Sequence, residues 1–249
     1  LSGAGEAEII EKIDIGGISL IRAAAKNFQD VLVVSSRNQY GELLDILQNS
    51  RGEVSLEERR RFAIRAFDVS SHYDTAIYQY FSREIELPSF KQSIPSGTPL
   101  RYGENPHQKG YFYGDFDKMF EKLNGKEISY NNLLDIDAAV NLISDFEETS
   151  VAIIKHNNAC GFASRTNLVQ AWKDALAGDP VSAYGGVIIA NRRIDALTAS
   201  EMDKIFFEVM IAPAYDEEAL AILRGKKNRI ILAMQSILLQ DKQFRTVLN

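Results

Sequence analysis

The sequence predicts an α/β fold: a layered sheet with helices packed against it, preceded by a stretch poor in strands. Three observations carry this. From Asp115 onward, short apolar β-branched runs alternate with segments of helical periodicity. The apolar run Ala152-Ile153-Ile154 is too short for a helix and is followed at once by polar Lys155-His156-Asn157-Asn158-Ala159-Cys160-Gly161, which reads as a buried strand delivering its end into a glycine-terminated turn. A hydrophobic content of 45% over 249 residues supports a sizeable core and one large or two smaller domains.

The elements follow in order. Ala7–Lys12 predicts a short helix, and Ile13-Asp14-Ile15-Gly16-Gly17 a strand end with a tight turn. Ser19 is placed to cap an alanine-rich helix through Lys26, and Val31-Leu32-Val33-Val34 predicts a buried strand. Ser55 with Glu58 forms a capping box opening a long helix. Along it, Phe62, Ala66, Val69, Tyr73, Ala76 and Tyr80 recur as one apolar stripe, read as core or a helix–helix seam.

Ile85–Leu100, with Pro88, Pro95, Gly97 and Pro99, reads as a linker and sets domains of 1–90 and 91–249. Helices are then predicted near Phe116–Leu123, Ile136–Phe146, Leu168–Leu176, Ala199–Phe206 and Glu217–Leu223. Strands are predicted at Ala152–Ile154, Val187–Ala190, Glu208–Ile211, Arg229–Leu232 and Ile237–Leu239.

Composition excludes several classes. The formal net charge of −6 offers no global basic field for nucleic acid. One cysteine allows no intramolecular disulfide, which suits a reducing cytoplasm. No run approaches a transmembrane span, and Leu1–Gly5 has no signal-peptide pattern. Three histidines and one cysteine leave little material for zinc, and the Cys-x-x-Cys pair of zinc deaminases is missing. No Walker loop, Gly-x-Gly-x-x-Gly, Gly-x-Ser-x-Gly or His-Glu-x-x-His occurs.

Lys155 and His156 at a strand end supply a fixed cation and a proton-transfer group. The dipeptide by itself also fits a satisfied histidine beside a solvated lysine. Asp14-Ile15-Gly16-Gly17 opening a helix offers backbone N–H groups to a phosphate, although Gly-Gly turns are common. Lys26 lies some two turns further on and equally fits a helix-end lysine completing the dipole. Arg101-Tyr102-Gly103 sets a guanidinium fork beside an aromatic face; a snorkelling surface arginine is the alternative. Tyr184-Gly185-Gly186 feeds a strand where backbone can touch a ligand, and Glu208 stands at a strand start, to orient a ligand amine or to face water.

Several of these stretches, in one order, resemble the family of bifunctional purine-biosynthesis enzymes with AICAR transformylase and IMP cyclohydrolase activities. Ile13–Gly17 with Arg22-Ala23-Ala24-Ala25-Lys26-Asn27 is similar to the last part of its cyclohydrolase domain. Leu100–Gln108, Ser129-Tyr130-Asn131-Asn132, Lys155-His156, Ser182–Gly186 and Ile211-Ala212-Pro213 are similar to successive transformylase motifs. The resemblance implies a partial methylglyoxal-synthase-like segment followed by a cytidine-deaminase-like α/β transformylase subdomain. It implies formyl transfer from 10-formyltetrahydrofolate, a co-substrate, to the 5-amino group of AICAR, then dehydrative closure of FAICAR to IMP, without a metal.

On the same ground His156 is the proton-transfer residue and Lys155 stabilises the transition state. Arg101, Tyr102, Gly185 and Glu208 bind the AICAR nucleotide, with Asn132 and His107 beside them. Asp14, Gly16 and Lys26 belong to the cyclohydrolase site, Lys26 in the catalytic role. The resemblance further implies a cytoplasmic homodimer without nucleic acid or membrane. It covers the middle of the family's chain, so these 249 residues alone are expected to turn over poorly. Ala159 stands where the family usually has proline. The competing reading is a non-catalytic nucleotide-binding module that keeps the fold.

Overall fold

A computed structural model describes residues 3–85 and 87–235. The chain divides into two compact units, Leu1–Ser96 and Gly97–Asn249, and the division falls inside the Pro/Gly-rich Ile85–Leu100 stretch.

The first unit is helical: α1 (Glu6–Glu11), α2 (Gly16–Lys26), a 3-10 turn at Arg37–Gln39, α3 (Tyr40–Asn49) and α4 (Leu56–Phe81). The Ser55/Glu58 capping box opens α4: the Glu58 amide donates to Ser55 Oγ at 3.2 Å and the Ser55 amide to Glu58 Oε2 at 2.7 Å. α2 packs on α4 around Ala25, Ala63 and Ala66, with Phe62 fully buried nearby. The predicted stripe is only partly a core: Phe62 and Ala66 are buried, Val69, Tyr73 and Tyr80 half-buried, and Ala76 exposed.

Three expectations fail in this unit. Val31–Val34 is not a strand: no strand lies beside it among the described residues, and Val33 packs on the Ala25/Ala63/Ala66 cluster instead. β-branched propensity makes no strand without a ladder to join. Ile13–Gly17 is likewise not a strand end. Ser19 does not cap α2, because the helix begins three residues earlier; its hydroxyl donates to the Ile15 carbonyl at 2.8 Å.

The second unit opens with the short pair β1 (Thr98–Pro99) and β2 (Tyr111–Phe112). Then follow α5 (Phe116–Met119), β3 (Phe120–Asn124), α6 (Tyr130–Ile143), β4 (Ser150–Lys155), β5 (Asn158–Ser164), α7 (Leu168–Gly178), β6 (Val187–Ala190), α8 (Ala196–Met202), β7 (Val209–Ala212), α9 (Glu217–Leu223) and β8 (Ile230–Met234). The main sheet has the order β3-β8-β7-β6-β4-β5. β6, β7 and β8 are parallel, whereas β4 is antiparallel to β6, and β3 and β5 are antiparallel to β8 and β4.

Both faces of the sheet are covered. Val151, Ile153, Ile188, Met210 and Ile231 point to the side of α7, α8 and α9, where Trp172, Met202 and Leu223 are buried. Ala152, Ile154, Val187, Ile189, Val209 and Ile211 point to α6, which contributes Ile136, Ala139, Val140 and Ile143. Alternation with period two assigns neighbouring residues to opposite layers, so these strands read as continuous apolar runs.

The helix predicted at Phe116–Leu123 is a single turn followed by β3, because Phe120 onward pairs with β8. α6 begins at Tyr130, not near Ile136, since Ser129 and Asn132 form a capping box. α8 starts at Ala196, where Asp195 accepts from the Thr198 amide at 2.7 Å, and ends at Met202. The strand predicted at Ile237–Leu239 lies outside the described residues.

Candidate functional site

The site grows from the end of β4. Ile154 is the last fully buried residue of that strand, Lys155 is half-buried, and His156 and Asn157 form the turn. The turn is only those two residues, because Asn158 already pairs with Lys155 at the start of β5. This corrects the expectation of a polar turn ending at Gly161, which lies inside β5. Two-residue hairpins of this hand need positive φ at both central positions, and His156 (φ 54°) and Asn157 (φ 61°) both adopt it. Histidine and asparagine are among the few non-glycine residues that do so readily. Ala159, at the usual proline position, lies inside β5 opposite Ile154.

Because β4 runs against β6, its C-terminal end lies beside the N-terminal ends of the parallel strands. Ile154 pairs with Val187, Val187 with Val209, and Val209 with Ile230. Gly185-Gly186, leading into β6, and Glu208, leading into β7, therefore lie at the same end of the sheet as Lys155 and His156. The crevice is thus not the usual one outside the carboxyl ends of parallel strands; one reversed strand brings its own carboxyl end to the opposite edge.

Direct bonds tie this edge together. Lys155 Nζ donates to the Tyr184 carbonyl at 2.7 Å. Gly185, at φ +77°, donates its amide to the Phe206 carbonyl at 2.8 Å, and the Tyr184 and Phe206 rings lie 5.3 Å apart. The Glu208 amide donates to the Gly186 carbonyl at 3.0 Å. Glu208 is half-buried; Asn132 Nδ2 donates to its Oε2 at 3.2 Å, and Lys126 Nζ approaches the same oxygen at 3.1 Å. Asn132 in turn holds Ser129 through its own carbonyl oxygen at 2.9 Å. One helix residue thus caps α6 and aims the Glu208 carboxylate.

A second residue of α6 reaches the turn: Asp135 Oδ1 accepts the Asn157 amide at 2.7 Å. Behind the turn, Cys160 Sγ donates to the Ile153 carbonyl at 3.5 Å, and burial pushes its thiol above the ordinary 9.0. Lys126 and Asp135 were missed by the sequence reading. Asp135 lies three residues after Asn132, on the same helix face, and that spacing is the signal that could have found it.

The Arg101–Gln108 loop closes on itself, with the Gly103 amide donating to the Gln108 carbonyl at 2.8 Å and the Asn105 amide to Gln108 Oε1 at 2.8 Å. Arg101 is exposed and lies 5.7 Å from the centre of the Tyr102 ring. The loop joins the edge through Glu104, whose carbonyl accepts from Asn131 Nδ2 at 3.4 Å. Tyr102 is half-buried and His107 exposed. Geometry therefore unites Lys155, His156, Gly185, Glu208 and Asn132, while Arg101, Tyr102 and His107 ride on an adjoining loop.

In the first unit, Asp14 Oδ2 accepts the Ile18 amide at 2.8 Å and Oδ1 the Gly17 amide at 3.2 Å. These N–H groups are the ones a phosphate was expected to use, so the chain's own carboxylate occupies that turn. The Asp14 amide donates to Tyr73 Oη on α4 at 2.7 Å. Gly16 starts α2 and exposed Lys26 ends it, roughly 15 Å apart at 1.5 Å rise per residue. α2 thus holds Asp14 and Gly16 at one end and Lys26 at the other. Among the described residues, no group of three or more His, Cys, Asp or Glu is arranged to hold a metal, and no helix is long and apolar enough to cross a membrane.

A family model described as the AICARFT/IMPCHase bienzyme matches residues 24–249. The chain is 62% identical over 248 residues to a bifunctional purine biosynthesis protein PurH of Bacteroides thetaiotaomicron, covering 100% of this chain and 49% of that protein. It is 43% identical over 240 residues to a protein of the same description from Acetivibrio thermocellus, covering 92% and 46%. With one from Chloroflexus aurantiacus it shares 47% over 229 residues, covering 91% and 44%. The chain spans about half the length of the curated relatives it matches.

Proposed function

Because the chain belongs to the AICARFT/IMPCHase bienzyme family, we propose that its sheet edge takes part in formyl transfer from 10-formyltetrahydrofolate to the 5-amino group of AICAR. In the same proposal the first unit serves the following step, dehydrative closure of FAICAR to IMP. The observation that carries the reading is that Lys155 and His156 share one end of the sheet with Gly185 and Glu208, with Lys155 bonded to the Tyr184 carbonyl next to Gly185.

The chemistry needs what this edge offers. The amine on AICAR is aromatic and weakly nucleophilic, so its proton has to leave as the carbon–nitrogen bond forms. His156, exposed on a two-residue turn, is the proposed proton acceptor. The formyl oxygen gains negative charge in the same step, and the Lys155 ammonium is the proposed stabiliser; when the carbonyl re-forms, the bond from the formyl carbon to N10 of the folate breaks and tetrahydrofolate leaves with a proton on that nitrogen. An ammonium has three N–H donors; one is spent on the Tyr184 carbonyl, which fixes the side chain while leaving donors to face substrate.

Arg101, Tyr102, Gly185 and Glu208 are the proposed nucleotide contacts, with Asn132 orienting Glu208 and His107 on the adjoining loop. Asp14, Gly16 and Lys26 are assigned to the cyclohydrolase step, and their separation along α2 makes them members of different parts of that site. The reading includes the finer fold assignment, methylglyoxal-synthase-like for 1–90 and cytidine-deaminase-like for 91–249, and a cytoplasmic homodimer.

The test is made in the full-length bifunctional protein. H156A should lower formyl transfer by about 10²–10⁴-fold while AICAR still binds. Full turnover by H156A would remove His156 from the chemistry, and binding of AICAR and folate by the unaltered protein without transfer would favour a non-catalytic module.

A further inference from the structure

We infer that Asp135 is a positioning residue for His156: by holding the Asn157 amide it clamps the two-residue turn that carries the imidazole. The inference rests on the proposed role of His156 and goes beyond it, because Asp135 is remote in sequence from the turn and was marked by no motif.

Three observations carry it. First, the turn is costly without help. Both His156 and Asn157 stand at positive φ with full side chains; they tolerate it better than most residues, yet it costs each of them more than it costs glycine. Such backbone persists where its surroundings hold it. Second, beyond the Lys155–Asn158 pair that closes the hairpin, the contacts holding the turn are few and specific. Asp135 Oδ1 accepts the Asn157 N–H at 2.7 Å, a charge-assisted bond, and Asn158 Nδ2 donates to the His156 carbonyl at 2.9 Å. His156 and Asn157 are themselves exposed, so burial does not fix them.

Third, the clamp comes from the same helix face that sets the Glu208 carboxylate. Asn132 and Asp135 are three residues apart on α6. Asn132 bonds Glu208, and Asp135 bonds the turn. Ile136, Ala139, Val140 and Ile143 lock α6 onto the sheet, so neither contact can drift without the other. A single rigid helix therefore holds the proton-transfer turn and the proposed nucleotide contact in mutual register. Small misplacements of reacting groups are expensive in rate, which makes such a register worth a dedicated residue.

The experiment compares D135A, D135N and H156A in the full-length bifunctional protein. D135A should lower kcat for formyl transfer about ten- to a hundredfold, with KM for AICAR changed by less than about threefold. D135N keeps an oxygen acceptor and should stay within about fivefold of the parent kcat. Adding N157G to D135A should recover part of the loss, since glycine adopts the turn without strain. D135S serves as a second truncation should D135A fold poorly.

Amide exchange at Asn157, read by hydrogen–deuterium exchange, is the arm that needs no turnover; it should quicken about tenfold or more in D135A. Unchanged exchange, or a D135A kcat within about threefold of the parent, overturns the inference. So does a D135N defect as deep as that of D135A. If H156A keeps full activity, the proposed function fails instead, and the exchange measurement alone judges the clamp.

Discussion

Gly161 is the position where one added carbon should do the most damage. It lies in β5 beneath α7. A Cβ built there would sit 2.1 Å from the Ala175 carbonyl oxygen, 2.8 Å from its carbon and 3.3 Å from Ile153 Cδ1. The obstacle is helix backbone, not a movable side-chain tip, so α7 has to retreat from the sheet by about 1 Å to restore van der Waals distance. Ala171, Trp172 and Ala175 fill that interface and are at most 1% exposed. Overpacking costs about 1–3 kcal/mol, and a rigid backbone obstacle places Gly161→Ala at about 3. For a domain of this size that lowers Tm by roughly 6–12 °C. Trp172 is the chain's single tryptophan, so its fluorescence reports the disturbed interface directly. Gly16→Ala is the matched control, because nothing lies within 4 Å of its Cβ and it begins α2; it should be neutral or stabilising by up to about 1 kcal/mol. A denaturation midpoint for Gly161→Ala indistinguishable from the parent, with unshifted Trp172 emission, would refute the packing argument.

Two further outcomes follow from buried polar groups. The Arg229 side chain is fully buried, 2.6 Å from Asp203 Oδ1 and 3.9 Å from the centre of the Phe207 ring. Its Nε and Nη2 have no hydrogen-bond partner among the described residues. Arg229→Ala should cost about 2–5 kcal/mol in urea titration through the void it leaves, whereas Arg229→Met, which refills the volume, should cost far less; equal losses would show that the charge itself holds the site. Tyr215 donates its hydroxyl to the Leu232 and Met210 carbonyls at 2.9 and 3.2 Å, and burial raises its pKa well above 10.0. An acid whose folded pKa is raised contributes fully below its unfolded value and loses that contribution as pH rises past it. Stability should therefore fall above about pH 10 in the parent and fall less steeply in Tyr215→Phe, which starts about 1 kcal/mol lower at neutral pH. Parallel stability–pH curves for the two proteins would contradict this.

Much of the architecture was legible locally. Val187–Ala190 and Glu217–Leu223 form a strand and a helix with the bounds their patterns predict. The Ser55/Glu58 box starts α4, because a cap is a bond between residues three apart and needs no distant partner. Failures arose where a distant partner decides. Val31–Val34 has strand composition but no ladder to join among the described residues. Phe120–Asn124 has a helical pattern but is claimed by β8, more than a hundred residues later. Ser129–Asn132 was singled out only as one of the motifs carrying the family resemblance, and its second role, capping α6, follows from the same spacing rule that located Ser55.

By itself the sequence determined which residues are apolar in runs, where a capping box opens a helix, and that an ammonium and an imidazole leave a buried strand together; these are properties of neighbours along the chain. Only the tertiary structure decided which sheet edge they reach. Reversal of β4 against β6 puts Lys155 and His156 at the same end of the sheet as Gly185 and Glu208, and α6 supplies Asn132 and Asp135 to hold both sides. Strand direction is a pairing choice made by hydrogen bonds between distant segments, so periodicity within a segment carries no trace of it.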